Sequence, residues 1–315
     1  MPVSFRYHSF EILKRGGGSR QIRTPFPDLM LLQRRVSDLL QNCVAEINQA
    51  HNRKDQLAHG FKRGRSIITN GTKHTRRRYV LNIDLQDFFP SINFGRVRGF
   101  FLKDRNFAVH PDVATVLAQI ACHNNSLPQG SPCSPVISNL IAHMLDIHLG
   151  KLAFDTGCTY SRYADDLTFS TNKRIFPASI ASPVQGQKHS WELGDSLLEI
   201  VRRSNFTVNP QKTRMQYRTS RQDVTGLVVN SKVNIRSEYR RRVRAMAHRL
   251  FMTGRFEFVQ PVRELNGSLV PTVKEGNLAQ LHGMLGHIDG VDRFNADLRA
   301  QGQPHGIASA KNLSN

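Results

Sequence analysis

The chain has 315 residues, of which 39% are hydrophobic, so it can bury the core of one or two folded domains and is not intrinsically disordered. Its 44 Lys and Arg residues outnumber its 24 Asp and Glu residues, which gives a formal net charge of +20. The basic residues are spread from Lys14 to Arg299, which favours a nucleic acid held along a channel, with a generally basic surface as the open alternative.

The cysteines and the apolar segments indicate the cellular setting. The four cysteines lie far apart without a C-x-x-C pair, so neither a zinc site nor a disulfide framework is expected. No apolar run approaches the roughly 20 residues of a membrane helix, and the N-terminus lacks the apolar stretch of a signal peptide. The sequence therefore predicts a cytoplasmic protein with no membrane partner.

The N-terminal region is predicted to form a hairpin followed by a helix. Residues 6 to 27 contain two alternating segments around Gly16-Gly17-Gly18, a turn that can adopt positive φ. From Leu29 to Gln49 apolar residues recur at helical spacing and predict an amphipathic helix beneath the hairpin. Three arginines surround the turn, namely Arg15, Arg20 and Arg23. Their guanidinium groups are candidates for binding the phosphates of a nucleotide.

The central region alternates strands and helices. Tyr79 to Ile83 predicts a buried strand that runs directly into Asp84. A helix is expected from about Pro111 to Cys122, and another with Ser134 as its cap and Pro135 in its first position. The buried face of the first is expected to carry Val113, Val116, Leu117 and Ile120. The second is expected to point Val136, Leu140, Met144 and Leu145 inward. This order predicts an α+β fold with helices packed against a small sheet.

The C-terminal region is predicted to end in helices. Residues 173 to 188 are expected to form an exposed loop, and Asp223 to Val229 a strand. Ser237 is the expected N-cap of a basic helix over Tyr239 to Phe251. Its apolar stripe is Tyr239, Val243, Met246 and Leu250. A later helix is indicated by Leu278, Leu281, Leu285 and Ile288. Residues 237 to 295 are therefore expected to form a small helical subdomain.

The adjacent residues Asp165 and Asp166 predict a metal-binding hairpin tip. Strand-forming residues flank them, and a tight turn at this pair would stop the two side chains from facing opposite surfaces. Two carboxylates at one tip repel each other unless cations bind. With Asp84 as a third carboxylate, the set could hold two Mg²⁺ ions for phosphoryl transfer. A solvated turn is the alternative for the pair alone, and Asp87 is expected to be structural.

Three segments, in this order and at this spacing, carry a family resemblance. Asn82-Ile83-Asp84-Leu85-Gln86-Asp87-Phe88-Phe89, Leu127-Pro128-Gln129-Gly130-Ser131-Pro132 and Tyr163-Ala164-Asp165-Asp166 resemble the first three catalytic motifs of reverse transcriptases. The resemblance implies a right-hand polymerase fold that adds deoxynucleotides to a primer hydroxyl and releases pyrophosphate. It divides the chain into fingers and palm (1–236), a helical thumb (237–295) and a tail (296–315).

The resemblance also implies roles for individual residues. Asp84, Asp165 and Asp166 are the expected catalytic carboxylates, and with Leu85 they are expected to bind two Mg²⁺ ions, which Mn²⁺ can replace. Phe89 is the expected steric gate beneath the sugar of the incoming deoxynucleotide, whereas Phe88 is assigned to the core. The other expected nucleotide-binding residues are Arg20, Arg23, Gln129, Gly130 and Lys212. An ordinary turn at Gln129-Gly130 and a backbone-binding or solvated Lys212 are the open alternatives.

Two further elements resemble retron enzymes. Val224-Thr225-Gly226 is similar to their Val-Thr-Gly element, and Asn70 to His74 to their Asn-Ala-x-x-His element, with Gly71 in place of alanine. The nucleic-acid-binding residues expected here and in the thumb are Asn70, His74, Val224, Thr225, Gly226, Arg240, Arg241 and Arg244. For His74 a structural role is an equal alternative. The chain begins almost directly at the predicted hairpin, so the longer leader of retron enzymes is expected to be missing.

The retron resemblance implies a specific biology. The template would be a structured noncoding RNA, the product a short multicopy single-stranded DNA joined to it, and the role antiphage defence with an effector protein as a further partner. A group II intron-type or other defence-associated reverse transcriptase is the alternative, although no maturase or nuclease region is recognised. A catalytically idle RNA-binding scaffold is disfavoured by the three aspartates. A viral RNA-dependent RNA polymerase is disfavoured by Phe89 and by Tyr163-Ala164.

Overall fold

The computed structural model describes residues 6–13, 18–52, 56–186, 190–263 and 269–301. It begins with two antiparallel strands, β1 (Tyr7–Leu13) and β2 (Ser19–Pro25), followed by helix α1 (Pro27–Ala50). The predicted hairpin and helix are therefore confirmed. Arg15 and the predicted turn residues Gly16 and Gly17 lie outside the described residues.

The central elements include one helix, α4, whose buried face differs from the prediction. In chain order they are α2 (Ile67–Thr72), β3 (Tyr79–Gln86), α3 (Phe94–Lys103), α4 (Pro111–Ala121) and α5 (Ser134–Asp155). Helix α4 packs against α3 and buries Ala114, Ala118 and Ala121. Val113 and Val116, which were expected inside, are 48% and 51% exposed. Small side chains form the buried face because they let the neighbouring elements approach closely.

Helix α5 begins at Ser134, which was expected to be its cap. Cys133 occupies the cap position, and the Ser134 hydroxyl donates instead to the carbonyl of Pro128 at 2.8 Å. Val136 is buried as predicted, but Met144 is exposed and its predicted burial is wrong. The helix is apolar on most of its circumference, so spacing alone does not identify its buried face.

The next elements complete the sheet and correct one predicted loop. They are β4 (Thr159–Tyr163), β5 (Asp166–Thr171), β6 (Ala181–Pro183), β7 (Trp191–Leu193), α6 (Asp195–Arg203) and β8 (Thr207–Tyr217). Residues 173–188 were expected to be exposed, but β6 pairs with β7, and Phe176 and Ile180 are buried. The aromatic ring of Phe176 packs against Tyr79, which explains why this segment is held against the core.

The C-terminal elements contain an unexpected hairpin. They are β9 (Asp223–Val224), β10 (Leu227–Val228), α7 (Ser237–Thr253), β11 (Glu257–Arg263), β12 (Leu269–Glu275) and α8 (Leu278–Ala300). The strands β9 and β10 form a hairpin where one strand was predicted, and β11 pairs with β12 inside a segment predicted to be helical. Arg236, not Ser237, occupies the cap position of α7. Helix α8 continues past the expected boundary at 295.

The two helices of this segment bury part of each predicted stripe. In α7, Val243 and Met246 are buried, and Tyr239 and Leu250 pack beside them. In α8, which contains all four residues that indicated it, Leu281 is buried and Ile288 is partly buried, whereas Leu278 and Leu285 are exposed. Of the described helices, not one is long and apolar enough to cross a membrane.

The central sheet has the antiparallel strand order β4-β5-β3-β8, and its two faces have different tasks. One face packs on the main core through Leu81, Ile83, Leu85, Leu167 and Phe169. Side chains alternate along a strand, so the intervening residues of β3, including Asp84, point to the opposite face. The register pairs Asp84 directly with Asp166 of β5. The sheet therefore brings carboxylates from two chain regions together.

Candidate active site

The hairpin between β4 and β5 carries two of the predicted catalytic carboxylates. Tyr163 pairs with Asp166, so the turn consists of Ala164 and Asp165, one residue earlier than expected. Ala164 has a φ of 56°, a left-handed conformation that alanine seldom adopts. The backbone N–H of Leu85 donates to the carbonyl of Asp165 at 2.9 Å, which ties the turn to β3. Residues in such backbone conformations cluster at functional sites.

Burial and mutual repulsion both disfavour the ionised forms of Asp165 and Asp166. Burial, followed by repulsion from Asp165 and Asp84, raises the pKa of Asp166 to about 7, although this side chain keeps part of its surface open to solvent. Burial and the charge of Asp84 also raise the pKa of Asp165. The carboxylate cluster formed by Asp84, Asp165 and Asp166 therefore carries more negative charge than the neighbouring basic groups balance.

One lysine supplies part of the missing charge. The Lys212 ammonium lies 3.0 and 2.8 Å from the two carboxylate oxygens of Asp84, and this hydrogen bonding raises the pKa of Lys212. Asp84 is almost fully buried and lies two residues before the end of β3, whereas Lys212 belongs to the adjacent strand β8 and stays largely exposed. Lys212 therefore reaches the Asp84 carboxylate directly.

The carboxylates fit a divalent cation without forming a complete site. Among the described residues, no three acidic, histidine or cysteine side chains are grouped as a ready-made metal centre. Asp84 and Asp166 nevertheless face each other, and the raised pKa of Asp166 shows that added positive charge would stabilise the ionised cluster. Magnesium commonly takes one or two carboxylates from the protein and its other ligands from phosphates and water. An incomplete set of protein ligands agrees with that pattern.

A cleft of about 1170 Å³ opens beside the cluster. Its lining includes nine of the predicted residues, namely Arg20, Arg23, Asp84, Leu85, Phe89, Gln129, Gly130, Asp165 and Lys212. Asp166 is not in the lining, so it borders the cleft through its pairing with Asp84. Basic side chains from β2 thus share one cavity with carboxylates from the sheet, as a nucleoside triphosphate with its cations would require.

Gly130 fixes the distance between β2 and the segment before α5. The N–H of Arg23 donates to the carbonyl of Gln129 at 2.7 Å. Gly130 has a φ of 112°, and a Cβ atom there would lie 2.8 Å from the Arg23 carbonyl oxygen. The side-chain oxygen of Gln129 is buried and has no hydrogen-bond partner in the described part of the chain. It is therefore an acceptor available to a ligand.

The two adjacent phenylalanines have different environments. Phe88 is buried and stacks on Phe206, with ring centroids 5.4 Å apart, as the core assignment predicted. Phe89 is partly buried, lines the cleft and contacts Phe61 at a centroid distance of 6.0 Å. Sequence reasoning missed Phe61, because it lies in an irregular segment where no periodicity distinguishes it.

The Asn70 to His74 element is internal. Asn70 is 1% exposed and His74 is 0% exposed. The His74 ring nitrogens lie 2.7 Å from the hydroxyls of Ser161 in β4 and Ser170 in β5, and Ser161 also donates to the Asn70 side chain. Burial leaves neither side chain a surface for nucleic acid, so the expected contact is replaced by a structural role behind the β4–β5 hairpin. Burial also keeps His74 neutral by lowering its pKa.

The Val-Thr-Gly element forms the tip of the β9–β10 hairpin. Val224 is buried against Val80 and Val229, so it holds the hairpin to β3 and does not face a nucleic acid, contrary to expectation. Thr225 and Gly226 form the turn with φ values of 47° and 83°. None of the residues that the structure describes has an atom within 4 Å of the position that a Gly226 Cβ would occupy, so the tip is open toward them.

The predicted arginines of α7 fall into two groups. Arg240 is bound to Asp292 of α8 through two hydrogen bonds of 2.8 Å, so it joins the two helices. Its expected contact with nucleic acid is corrected to this structural role. The side chains of Arg241 and Arg244 are exposed. Of the three predicted arginines, Arg241 and Arg244 are thus the two that remain accessible to a nucleic acid.

Comparison with solved structures shows the fold. Telomerase from Candida albicans, determined with a fragment of telomeric RNA, superimposes with a TM-score of 0.53 at 11% sequence identity. The match covers 73% of this chain and 46% of that one. At this identity the likeness concerns architecture alone, and with the family match below it confirms the predicted α+β right-hand polymerase fold.

Sequence comparison shows the family. Residues 12–235 match the family model described as reverse transcriptase (RNA-dependent DNA polymerase), which implies dependence on divalent metal ions. Retron Ec86 reverse transcriptase of Escherichia coli is 33% identical over 264 residues, covering 83% of this chain and 75% of that protein. Retron Mx162 reverse transcriptase of Myxococcus xanthus is 38% identical over 244 residues, but the chain spans only 47% of its length. The chain therefore belongs to the reverse transcriptases, as an RNA-directed DNA polymerase of the retron group.

Proposed function

We propose that this enzyme copies a dedicated structured noncoding RNA into a short multicopy single-stranded DNA that stays joined to the RNA, in a system of antiphage defence that includes an effector protein. The retron relatives and the net charge of +20 support this proposal. Charge alone gives only nonspecific affinity, typically ~10⁻⁴ to 10⁻⁶ M. A dedicated template also requires contacts to RNA shape and unpaired bases. The four thiols are free, which suits a reducing cytoplasm.

The proposed cofactor is a pair of Mg²⁺ ions, which Mn²⁺ can replace. The carboxylates of Asp84, Asp165 and Asp166 and the backbone of Leu85 would hold them. When bound, such ions lower the pKa of the primer hydroxyl and neutralise the leaving pyrophosphate. The observation that carries this assignment is the direct pairing of Asp84 with Asp166 beside Lys212, at the border of the cleft.

The chain's own side chains would position the nucleotide. Arg20 and Arg23 would bind the triphosphate, because a guanidinium matches phosphate oxygens with a fork of donors. Phe89, at the cleft wall beside Phe61, would exclude a 2′-hydroxyl from the sugar. Gln129 would meet the new base pair through its unpartnered oxygen. Lys212 would neutralise or protonate the pyrophosphate, exchanging its hydrogen bonds with Asp84 for bonds to phosphate.

The remaining regions would hold the template and primer. We assign residues 1–236 to the fingers and palm, 237–295 to the thumb and 296–315 to a tail. The open tip at Thr225 and Gly226 would grip the primer end. The exposed guanidinium groups of α7 would contact phosphates of the duplex.

The proposal is tested by isolating the enzyme after expression with its native locus. We expect the purified protein to carry one RNA and an attached short DNA, which RNase and a debranching enzyme release as a discrete band on a denaturing gel. An Asp165→Asn variant should retain the RNA and lack the DNA, because RNA affinity rests mainly on basic residues. Recovery of only heterogeneous cellular RNA, by an enzyme that still extends ordinary primers, would contradict the retron function and leave the polymerase assignment intact.

A further inference from the structure

A buried ion pair lies directly behind the catalytic hairpin. Arg162 of β4 is 0% exposed and Asp146 of α5 is 2% exposed. The Arg162 Nε lies 2.8 Å from Asp146 Oδ1, and its Nη2 lies 2.7 Å from Oδ2, so the two groups meet as a bidentate pair. Tyr160 donates its hydroxyl to the same carboxylate at 2.9 Å. Burial of a charged pair is costly unless hydrogen bonds satisfy both groups, as they do here.

The same guanidinium reaches the catalytic turn. Arg162 Nη1 donates to the carbonyl oxygen of Ala164 at 3.1 Å, and Ala164 is the residue with a φ of 56° immediately before Asp165. The guanidinium carbon also lies 5.8 Å from the ring centroid of Phe88, next to the proposed gate. One side chain thus links helix α5 to two of the segments that carry cleft residues.

A second support holds the backbone of Arg162 from outside the sheet. The Arg162 N–H donates to the carbonyl of Leu57 at 2.8 Å, and the His59 N–H donates to the carbonyl of Arg162 at 2.7 Å. A Cβ atom on Gly60 would lie 2.5 Å from the backbone nitrogen of Ala164, so this segment is pressed against the turn. These contacts hold the backbone of Arg162 in place, and the hydrogen bond from its side chain restrains the Ala164 carbonyl.

We propose that the Arg162–Asp146 pair is a positioning device for nucleotide addition, which holds the Ala164 carbonyl so that the Asp165 carboxylate is presented to the cleft. This inference rests on the catalytic role proposed above for Asp165. The pairing also has an electrostatic consequence. Asp146 neutralises the guanidinium, so Arg162 supports the turn without cancelling the negative charge that the catalytic carboxylates offer to cations. Neither residue touches substrate in this arrangement, and both act through Asp165.

The test replaces the pair by apolar residues of similar size, as Arg162→Met with Asp146→Leu. Such replacements of buried pairs are often neutral or stabilising for the fold. We expect the double variant to melt near the wild-type temperature and to bind template–primer normally, while kcat for single-nucleotide extension falls about 10- to 100-fold. The Mg²⁺ concentration for half-maximal rate should rise, a change that a purely structural pair would not produce. The exposed pair on α5 provides the matched control, as Lys151→Gln with Asp155→Asn.

A second variant keeps the positive charge at position 162 and removes the planar guanidinium group. Arg162→Lys can still pair with Asp146, but one ammonium cannot reproduce the planar set of donors that also serves Ala164. We expect the same fall in kcat and rise in Mg²⁺ requirement from this folded variant. Wild-type kcat and Mg²⁺ dependence in either folded variant would overturn the proposal. Failure of both variants to fold would overturn it too, because the pair would then be a requirement of the fold and not of the site. Inactivity of Asp165→Asn is measured separately, so the two proposals can fail independently.

Discussion

The central sheet and the C-terminal segment from α7 to α8 are stabilised to different degrees. The sheet contributes Leu81, Ile83 and Phe169 to the largest buried cluster, which also includes residues of α1, α3, α4 and α5. The C-terminal segment has small clusters of its own, while Phe251 at the end of α7 is 91% exposed. The carboxylates therefore lie on the sheet that packs against the largest buried cluster. The exposed arginines Arg241 and Arg244 lie on a segment with smaller buried clusters.

This difference corresponds to what each region has to do. Phosphoryl transfer depends on reacting groups held close to their productive positions, and a misplacement of about 1 Å can cost about 10²-fold in rate. Attraction to nucleic-acid phosphates acts over a Debye length, about 8 Å at physiological salt, and tolerates motion. Changes in the sheet should therefore alter rate, whereas changes in the C-terminal segment should alter affinity.

The largest effect is expected from Asp165→Asn. Loss of one anionic ligand removes charge where cations must bind, so the single-nucleotide extension rate should fall by at least about 100-fold. The dissociation constant for RNA should change little. The measurement is a rapid-quench extension assay paired with a binding titration, and Asp155→Asn on the exposed end of α5 is the control. Near-normal extension by Asp165→Asn would refute the metal assignment.

An intermediate effect is expected from Phe89→Ala. Removing the ring opens space beside Phe61 in the cleft, so a 2′-hydroxyl should be accommodated and discrimination between dATP and ATP should fall about tenfold or more, equivalent to roughly 1.4 kcal/mol. Single-nucleotide extension with each substrate measures the ratio. Phe154→Ala, on the exposed face of α5, is a matched control. An unchanged ratio would place the gate elsewhere.

The smallest effect on rate, and the clearest on affinity, is expected from replacing both Arg241 and Arg244 with glutamine. Affinity for template–primer should fall, and the slope of log affinity against log salt should flatten by roughly one unit per lost phosphate contact. Arg240→Gln should leave the slope nearly unchanged, because Arg240 is bound to Asp292. Equal slopes for all three proteins would mean that Arg241 and Arg244 are merely solvated.

The features that could be predicted from the sequence are those encoded locally. A strand that carries Asp84 and a hairpin that carries Asp165 need only alternation and turn residues within a few positions, although β3 continues two residues beyond the predicted end at Asp84. Helix α7 could be predicted for the same reason, since Val243 and Met246 follow one helical stripe. The resemblance to reverse transcriptase motifs added the order of these elements, which local patterns do not contain.

The features that sequence reasoning missed depend on tertiary contacts. Arg162 and Asp146 belong to a strand and a helix, and no local pattern indicates that they pair. Helix α4 buries alanines instead of its valines, because close packing against α3 outweighs the hydrophobicity of single residues. The internal position of His74 follows from its hydrogen bonds to two strands, not from its motif. Burial of a motif residue is therefore the property that sequence predicts least well here.

Single-nucleotide extension by the wild-type enzyme tests the assignment of the carboxylate cluster most directly. The enzyme is given an RNA template with an annealed primer, and Mg²⁺ is titrated from zero. We expect no addition without divalent cation, saturable addition of the complementary deoxynucleotide as Mg²⁺ rises, and poor use of the matching ribonucleotide. Asp84→Asn, which replaces the ion pair with Lys212 by at most one neutral hydrogen bond and removes one charge opposite Asp166, should remain inactive at every Mg²⁺ concentration. Extension that is independent of divalent cation, or that survives in Asp84→Asn at the wild-type rate, would contradict the assignment of this cluster as the polymerising site.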